Sequence, residues 1–89
     1  MVVLKTKYYT KSVQTLSKKD CVLLLAQERL LAEDPFHSKL HVKKLKGFPS
    51  TDKVYSFRIT RVFRGLFRIS IEKIILFVIG HRKDIYQSF

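Results

Sequence analysis

Four arginines punctuate one run that otherwise reads as β-structure, Val54-Tyr-Ser-Phe-Arg-Ile-Thr-Arg-Val-Phe-Arg-Gly-Leu-Phe-Arg-Ile-Ser-Ile71. Side chains on a strand alternate between its two faces. Arg64, Leu66, Arg68 and Ser70 therefore share one face, and Phe63, Phe67, Ile69 and Ile71 share the other. If Val54–Thr60 pairs alongside as a second strand, Tyr55, Phe57 and Ile59 join the apolar face and Arg58 joins the basic one. Such a chain builds a sheet with one face on a core and guanidinium groups on the other. The planar fork of arginine meets phosphate oxygens two at a time, so a polyphosphate is the ligand class this pattern suits.

The rest of the chain is consistent with one domain spanning residues 1–89, since 89 residues leave little room for a second core. The formal charge is +11, from 18 Lys and Arg against 7 Asp and Glu. Between Asp34 and Glu72 Asp52 is the sole acid, against nine Lys or Arg. A lysine-rich surface also keeps proteins soluble, but a domain this basic points first to an anionic partner such as nucleic acid.

Val2–Lys5 is a candidate edge strand, and Tyr9, Val13 and Leu16 fall at helical spacing over Lys7–Leu16. Ser17 and Asp20 form a helix-start signal, in which the serine caps an orphan amide and the aspartate meets the positive end of the helix dipole. The helix that follows, over Cys21–Asp34, carries an apolar surface wide enough to contact both the sheet and the first helix, and Pro35 ends it. Residues 35–53 read as a long polar connection, anchored by Val42 and Leu45 and turned at Gly47 and Pro49. Ile74–Ile79 is continuously apolar and β-branched, which suits a central strand buried on both faces. The predicted order is β-α-α-β-β-β, a helical hairpin packed on a small, mainly antiparallel sheet: an α+β fold.

Several chemistries have no footing. Cys21 stands alone, which excludes an internal disulfide and a cysteine-based zinc site, and its apolar surroundings predict a buried core thiol. His37 and His41 are four apart, but no third and fourth ligand follows. There is no P-loop, no G-x-G-x-x-G and no acidic pair suited to magnesium-dependent hydrolysis. No signal-peptide core opens the chain, and no stretch approaches the roughly 18 apolar residues that span a bilayer, so a cytoplasmic location and no cofactor are expected. A nuclease without metal ligands must use the RNA's own 2′-hydroxyl as nucleophile. It then needs a base, a proton donor for the leaving 5′-oxygen, and cations for the pentavalent phosphate. The tail His81-Arg82-Lys83-Asp84-Ile85-Tyr86 holds those residue types, although it also reads as a polar flap in which Ile85 and Tyr86 pack as hydrophobes.

Asp-Pro-Phe-His, then Lys-Lys-Leu-Lys-Gly, the Tyr-Ser-Phe-Arg-Ile strand, Phe-Arg-Gly-Leu-Phe and Ile-Gly-His-Arg-Lys-Asp-Ile-Tyr follow one another between residues 34 and 86. In order and spacing they resemble the RelE/ParE toxin superfamily, closest to its RelE-like branch. The resemblance implies a toxin held inactive by an acidic antitoxin, acting in the ribosomal A site as a metal-independent endoribonuclease on mRNA. It implies that Arg58 lies near the scissile phosphate, that Arg64 stabilises the transition state, that Arg82 is a phosphate ligand or general acid, and that Tyr86 stacks on a base or transfers a proton. His81 competes with Arg82 and Tyr86 for the acid's role, because an unperturbed imidazole titrates near 6.5 whereas arginine stays charged. Ser56 departs from the pattern, standing where RelE has a lysine. Lys39, Lys43, Lys44, Lys46 and Arg68 are expected to track RNA phosphates, and Arg61, near the hairpin turn, reads as solvated charge. Two other functions fit the same residues: a ParE-like poison of DNA gyrase, and a non-catalytic RNA-binding relative.

Overall fold

In the computed structural model, which describes residues 1–45 and 53–85, the chain runs through nine elements. They are β1 (Val2–Lys5), α1 (Lys7–Val13), α2 (Lys18–Glu33), a 3-10 turn (Ser38–Leu40), β2 (Lys43–Lys44), β3 (Val54–Arg58), β4 (Phe63–Ser70), β5 (Lys73–His81) and a four-residue helical turn, α3 (Arg82–Ile85). The β-α-α-β-β-β order is therefore present, with the 3-10 turn, β2 and α3 added to it. Lys46, Gly47, Pro49 and Tyr86 lie outside the described residues.

Side-chain caps set the helical hairpin. Thr6 Oγ1 accepts from Tyr9 N–H, and Ser17 Oγ accepts from Asp20 N–H, each at 3.1 Å. These bonds satisfy amides that the first helical turn leaves open. The helix α1 stops at Val13 rather than Leu16, because the amides of Gln14, Thr15 and Leu16 turn to carbonyls three residues back and tighten the chain. Asp34 closes α2 with its amide on Leu30 O, and its Oδ1 accepts from Phe36 N–H.

The five strands order as β1-β5-β4-β3-β2, with β1 parallel to β5 and every other pair antiparallel. The helices cover one face, where Tyr9, Leu24, Leu31, Phe57, Phe67 and Leu76 form the main core. Gly65 makes this packing possible, since a Cβ there would collide with the Phe57 ring. Tyr9 donates to Glu28 Oε2 at 2.7 Å, and Lys5 pairs with Glu28 Oε1 at 3.3 Å. Burial, reinforced by the bond to Glu28, pushes the Tyr9 phenol above its ordinary value, so it stays a donor. Cys21 is half-buried against this core, not fully enclosed. The wide apolar surface of α2 is only partly used: Leu24 and Leu31 are buried, while Val22, Leu23 and Leu25 remain exposed.

Two features of the sheet depart from simple alternation. In the first, Leu66 pairs with Val78 while its neighbour Phe67 pairs with Leu76, so Phe77 is an extra residue in β5. Such a bulge exchanges the faces of all that follows it. Ile74 and Leu76 face the helices, and beyond the bulge Ile79 and His81 do too, paired with Gly65 and Phe63. In the second, β4 ends at Ser70 and β5 begins at Lys73, so the turn is Ile71-Glu72, with φ of 28° and 60°. Ile71 therefore leaves the apolar face expected of it and stands 91% exposed. Two-residue hairpins need positive φ at both positions, a demand that a β-branched residue meets only under strain. Replacing Ile71-Glu72 by Asn-Gly is expected to stabilise the protein by about 1 kcal/mol or more, read from chemical denaturation; an unchanged midpoint would show the turn to be unstrained.

Candidate functional site

The sheet face away from the helices is not a uniform basic surface. Val54, Leu66, Val78 and Ile85 form a second, smaller core there, with Leu45 and Phe77 packed against it. Leu66 is fully buried between Arg64 and Arg68 in sequence, so the two arginines share a face but stand on opposite sides of an apolar centre. The basic site forms on the Arg64 side.

There, a cleft of about 330 Å³ is lined by Lys43, Arg58, Thr60, Arg61, Arg64, Arg82 and Lys83. Six of these seven side chains are cationic and none is acidic. Local structure explains how they meet. Arg58 is the last residue of β3 and lies directly across from Arg64 of β4. Past Arg58, Thr60 Oγ1 accepts from Val62 and Phe63 N–H, each at 3.0 Å, and closes the turn that presents Arg61. The tail returns over the sheet at Gly80, which faces Arg64 in the register and at which an added Cβ would lie 3.6 Å from Ile85 Cβ. Arg82 N–H donates to Val62 O at 2.7 Å, tying α3 to the same turn. Lys43 enters from β2, on the far side of β3.

Arg64 differs from the other cations. It is only 8% exposed, and its Nη2 donates to His41 O at 2.6 Å and to Ser56 Oγ at 3.1 Å. Ser56 is fully buried and supplies an acceptor for the guanidinium, a role a lysine could not take. His41 itself adopts a left-handed conformation, φ 47° and ψ 50°. Arg64 thus fastens the connection to the sheet while lining the cleft. Arg58, by contrast, is exposed. Like charges directly opposite on neighbouring strands are destabilising. An anion seated between them would relieve that repulsion and receive paired N–H donors.

The expected site residues divide accordingly. Arg58, Arg64, Arg82 and Lys43 come together in the cleft. His81 does not line it: the Phe77 bulge turns its ring toward the helix side, 6.3 Å from the Phe63 ring, and its Nδ1 accepts from Lys83 N–H. Lys39, Lys44 and Arg68 are exposed outside the cleft, and Lys46 and Tyr86 fall outside the described residues. His37 uses its Nδ1 to cap the 3-10 turn through Lys39 N–H. Among the described residues, no three His, Cys, Asp or Glu side chains converge as a metal site would require, and no helix is long and apolar enough to cross a membrane. Arg61, expected to be solvated charge only, lines the cleft, and so does Lys83, which was not among the expected site residues. Arg61 was legible only as a turn residue, and Lys83 only as the neighbour of Arg82.

No family model matches the chain, and no curated protein matches it in sequence. Solved structures do. A chain of the archaeal RelE–RelB complex from Pyrococcus horikoshii OT3 is 23% identical over 91% of this chain and 93% of that one, with a TM-score of 0.77. The RelB–RelE antitoxin–toxin complex from Methanococcus jannaschii gives 24% identity, 97% and 98% coverage and a TM-score of 0.72. The fold is that of the RelE/ParE toxins. A YoeB/ParE toxin from Agrobacterium tumefaciens is 18% identical over 92% of this chain and 99% of that one, at a TM-score of 0.76. In this RelE-like fold the cleft occupies the sheet face opposite the helical hairpin.

The two facing arginines make opposite demands on stability. Arg64→Ala is expected to cost about 2–3 kcal/mol, because it removes a charged donor from two acceptors. Arg58→Ala should stay within about 0.5 kcal/mol of the parent, or gain slightly at low salt. Chemical denaturation of both variants checks this, and equal losses would show that Arg58 is also structural.

Proposed function

We propose that the protein is the toxin of a type II toxin–antitoxin pair and acts as a ribosome-dependent endoribonuclease on mRNA. The observation that carries this reading is the cleft itself, in which six cations from β2, β3, the β3–β4 turn, β4 and α3 converge with no acid among them. The fold shared with RelE–RelB and YoeB/ParE proteins supports the toxin assignment.

In the reaction, the 2′-hydroxyl of the RNA attacks the adjacent phosphorus and the bond to the 5′-oxygen breaks, leaving a 2′,3′-cyclic phosphate. The proton of the 2′-hydroxyl goes to a base, and the leaving 5′-oxygen takes one from an acid. Charge on the phosphorane is met by Arg58 and Arg82, which remain protonated and bind oxygens through paired donors, and by the fixed charge of Arg64, whose Nη2 hydrogens are already held by His41 O and Ser56 Oγ. Lys43, Arg61 and Lys83 hold the flanking backbone, and Lys39, Lys44, Lys46 and Arg68 extend the contact along ribosomal or messenger RNA. With the His81 ring on the helix side, Tyr86, next to Ile85 in sequence, is our choice for proton transfer. DNA lacks the attacking hydroxyl, so cleavage is specific to RNA. In the cytoplasm, an antitoxin's acidic segment neutralises the cleft until it is released.

Primer extension on total RNA after brief induction tests this reading. Cuts within codons of translated messages are expected, and Arg58→Ala combined with Arg82→Ala should abolish them while leaving the fold intact. Intact mRNA with accumulated gyrase–DNA cleavage complexes would move the function to the gyrase-poison branch. RNA affinity without cleavage by the parent would leave only a binding role.

A further inference from the structure

Gln27 lies outside the cleft, on the helix α2, yet it holds two parts of the cleft's frame together. Its Nε2 donates to Lys39 O at 3.1 Å and to Arg58 O at 2.7 Å. One amide nitrogen carries two hydrogens, so both are used. The need for them follows from the sheet. The two residues of β2 pair with Ser56 and Tyr55, and among the described residues no strand pairs with Arg58 on that side. A backbone carbonyl at such an edge needs a partner from elsewhere, and a side chain from the helical layer supplies it.

The same bond fixes the incoming connection. Gln27 holds Lys39 O from the helix side, and Arg64 holds His41 O from the cleft side at 2.6 Å. The segment between these two carbonyls leads directly into Lys43, a cleft residue. Arg58, at the end of β3, is the cleft cation whose own carbonyl Gln27 binds, whereas Lys43 is reached only through Lys39, four residues earlier.

We propose that Gln27 is a positioning residue for the cleft: its carboxamide sets the Arg58 and Lys43 backbones at a fixed separation, so that both side chains reach one phosphate-bearing strand. Binding then spends less of its free energy on ordering the two cations. This rests on the reading of the cleft as an RNA phosphate site, and it adds a residue that touches neither RNA nor the cleft.

The test is binding of a fluorescent single-stranded RNA oligonucleotide to the full chain, with the thermal midpoint measured on each variant. Gln27→Met keeps the length and apolar stem but removes both donors. It is expected to weaken binding about five- to tenfold, a loss on the scale of one or two hydrogen bonds. Gln27→Lys restores donors able to reach both carbonyls and should recover most of the parent affinity. Leu23→Lys added to Gln27→Met places the same charge on an exposed position of the same helix and should not recover it. If the parent binds and Gln27→Met binds equally well, or Leu23→Lys rescues as fully as Gln27→Lys, the positioning role is overturned while the cleft's assignment stands. A parent that binds no RNA overturns both.

Discussion

Arg64 reaches from the middle strand of the sheet to the carbonyl of His41 and the hydroxyl of Ser56, and much of the site follows from that reach. A guanidinium stays charged in nearly any environment and carries donors in a fixed fork. Burying it to 8% exposure therefore commits its surroundings to supplying acceptors. Ser56 supplies one from the adjacent strand. His41 supplies the other by adopting a left-handed turn that aims its carbonyl inward. The connection is thereby held to the sheet, Lys43 is carried to the cleft, and the charge of Arg64 faces Arg58 across the strand pair.

The second constraint is the single extra residue in β5. Without Phe77 in the bulge, His81 would fall on the cleft face and Gly80 beneath the helices. With it, Gly80 faces the cleft side, and the tail can fold closely over the sheet to seat Ile85 on Leu66, Val54 and Val78. That fold-back brings Arg82 and Lys83 to Arg58 and Arg64, and leaves the His81 imidazole to accept from the Lys83 amide. A change of one residue in register thus decides which tail side chains line the site.

Much of this was legible in the sequence wherever the cause is local. The Ser17 cap, the stop at Pro35 and the alternation of Tyr55, Phe57, Phe67 and Ile69 depend on near neighbours along the chain, and each appears in the fold. The convergence of Arg58, Arg64 and Arg82 was also expected, through the resemblance of their motifs to those of the RelE-like toxins. What the sequence hid depends on contacts between distant residues. The Phe77 bulge has no turn residue to announce it. The positive φ at Ile71 opposes that residue's own preference and is imposed by the pairing of Ser70 with Lys73. Ser56 read as a lost lysine, and becomes an acceptor only once Arg64 is known to lie beside it. Gln27 carries no motif, and its role comes from two carbonyls 12 and 31 residues away.

As the RNA site we propose, the cleft would engage several phosphates at once. The salt dependence of binding to a single-stranded RNA oligonucleotide tests it most directly, because each phosphate contact releases counterions and contributes roughly −0.7 to the log–log slope. The expected parent slope is about −2 or steeper, with Arg58→Ala and Arg82→Ala each making it shallower by about 0.7. A slope near zero, or one that neither substitution alters, would contradict it.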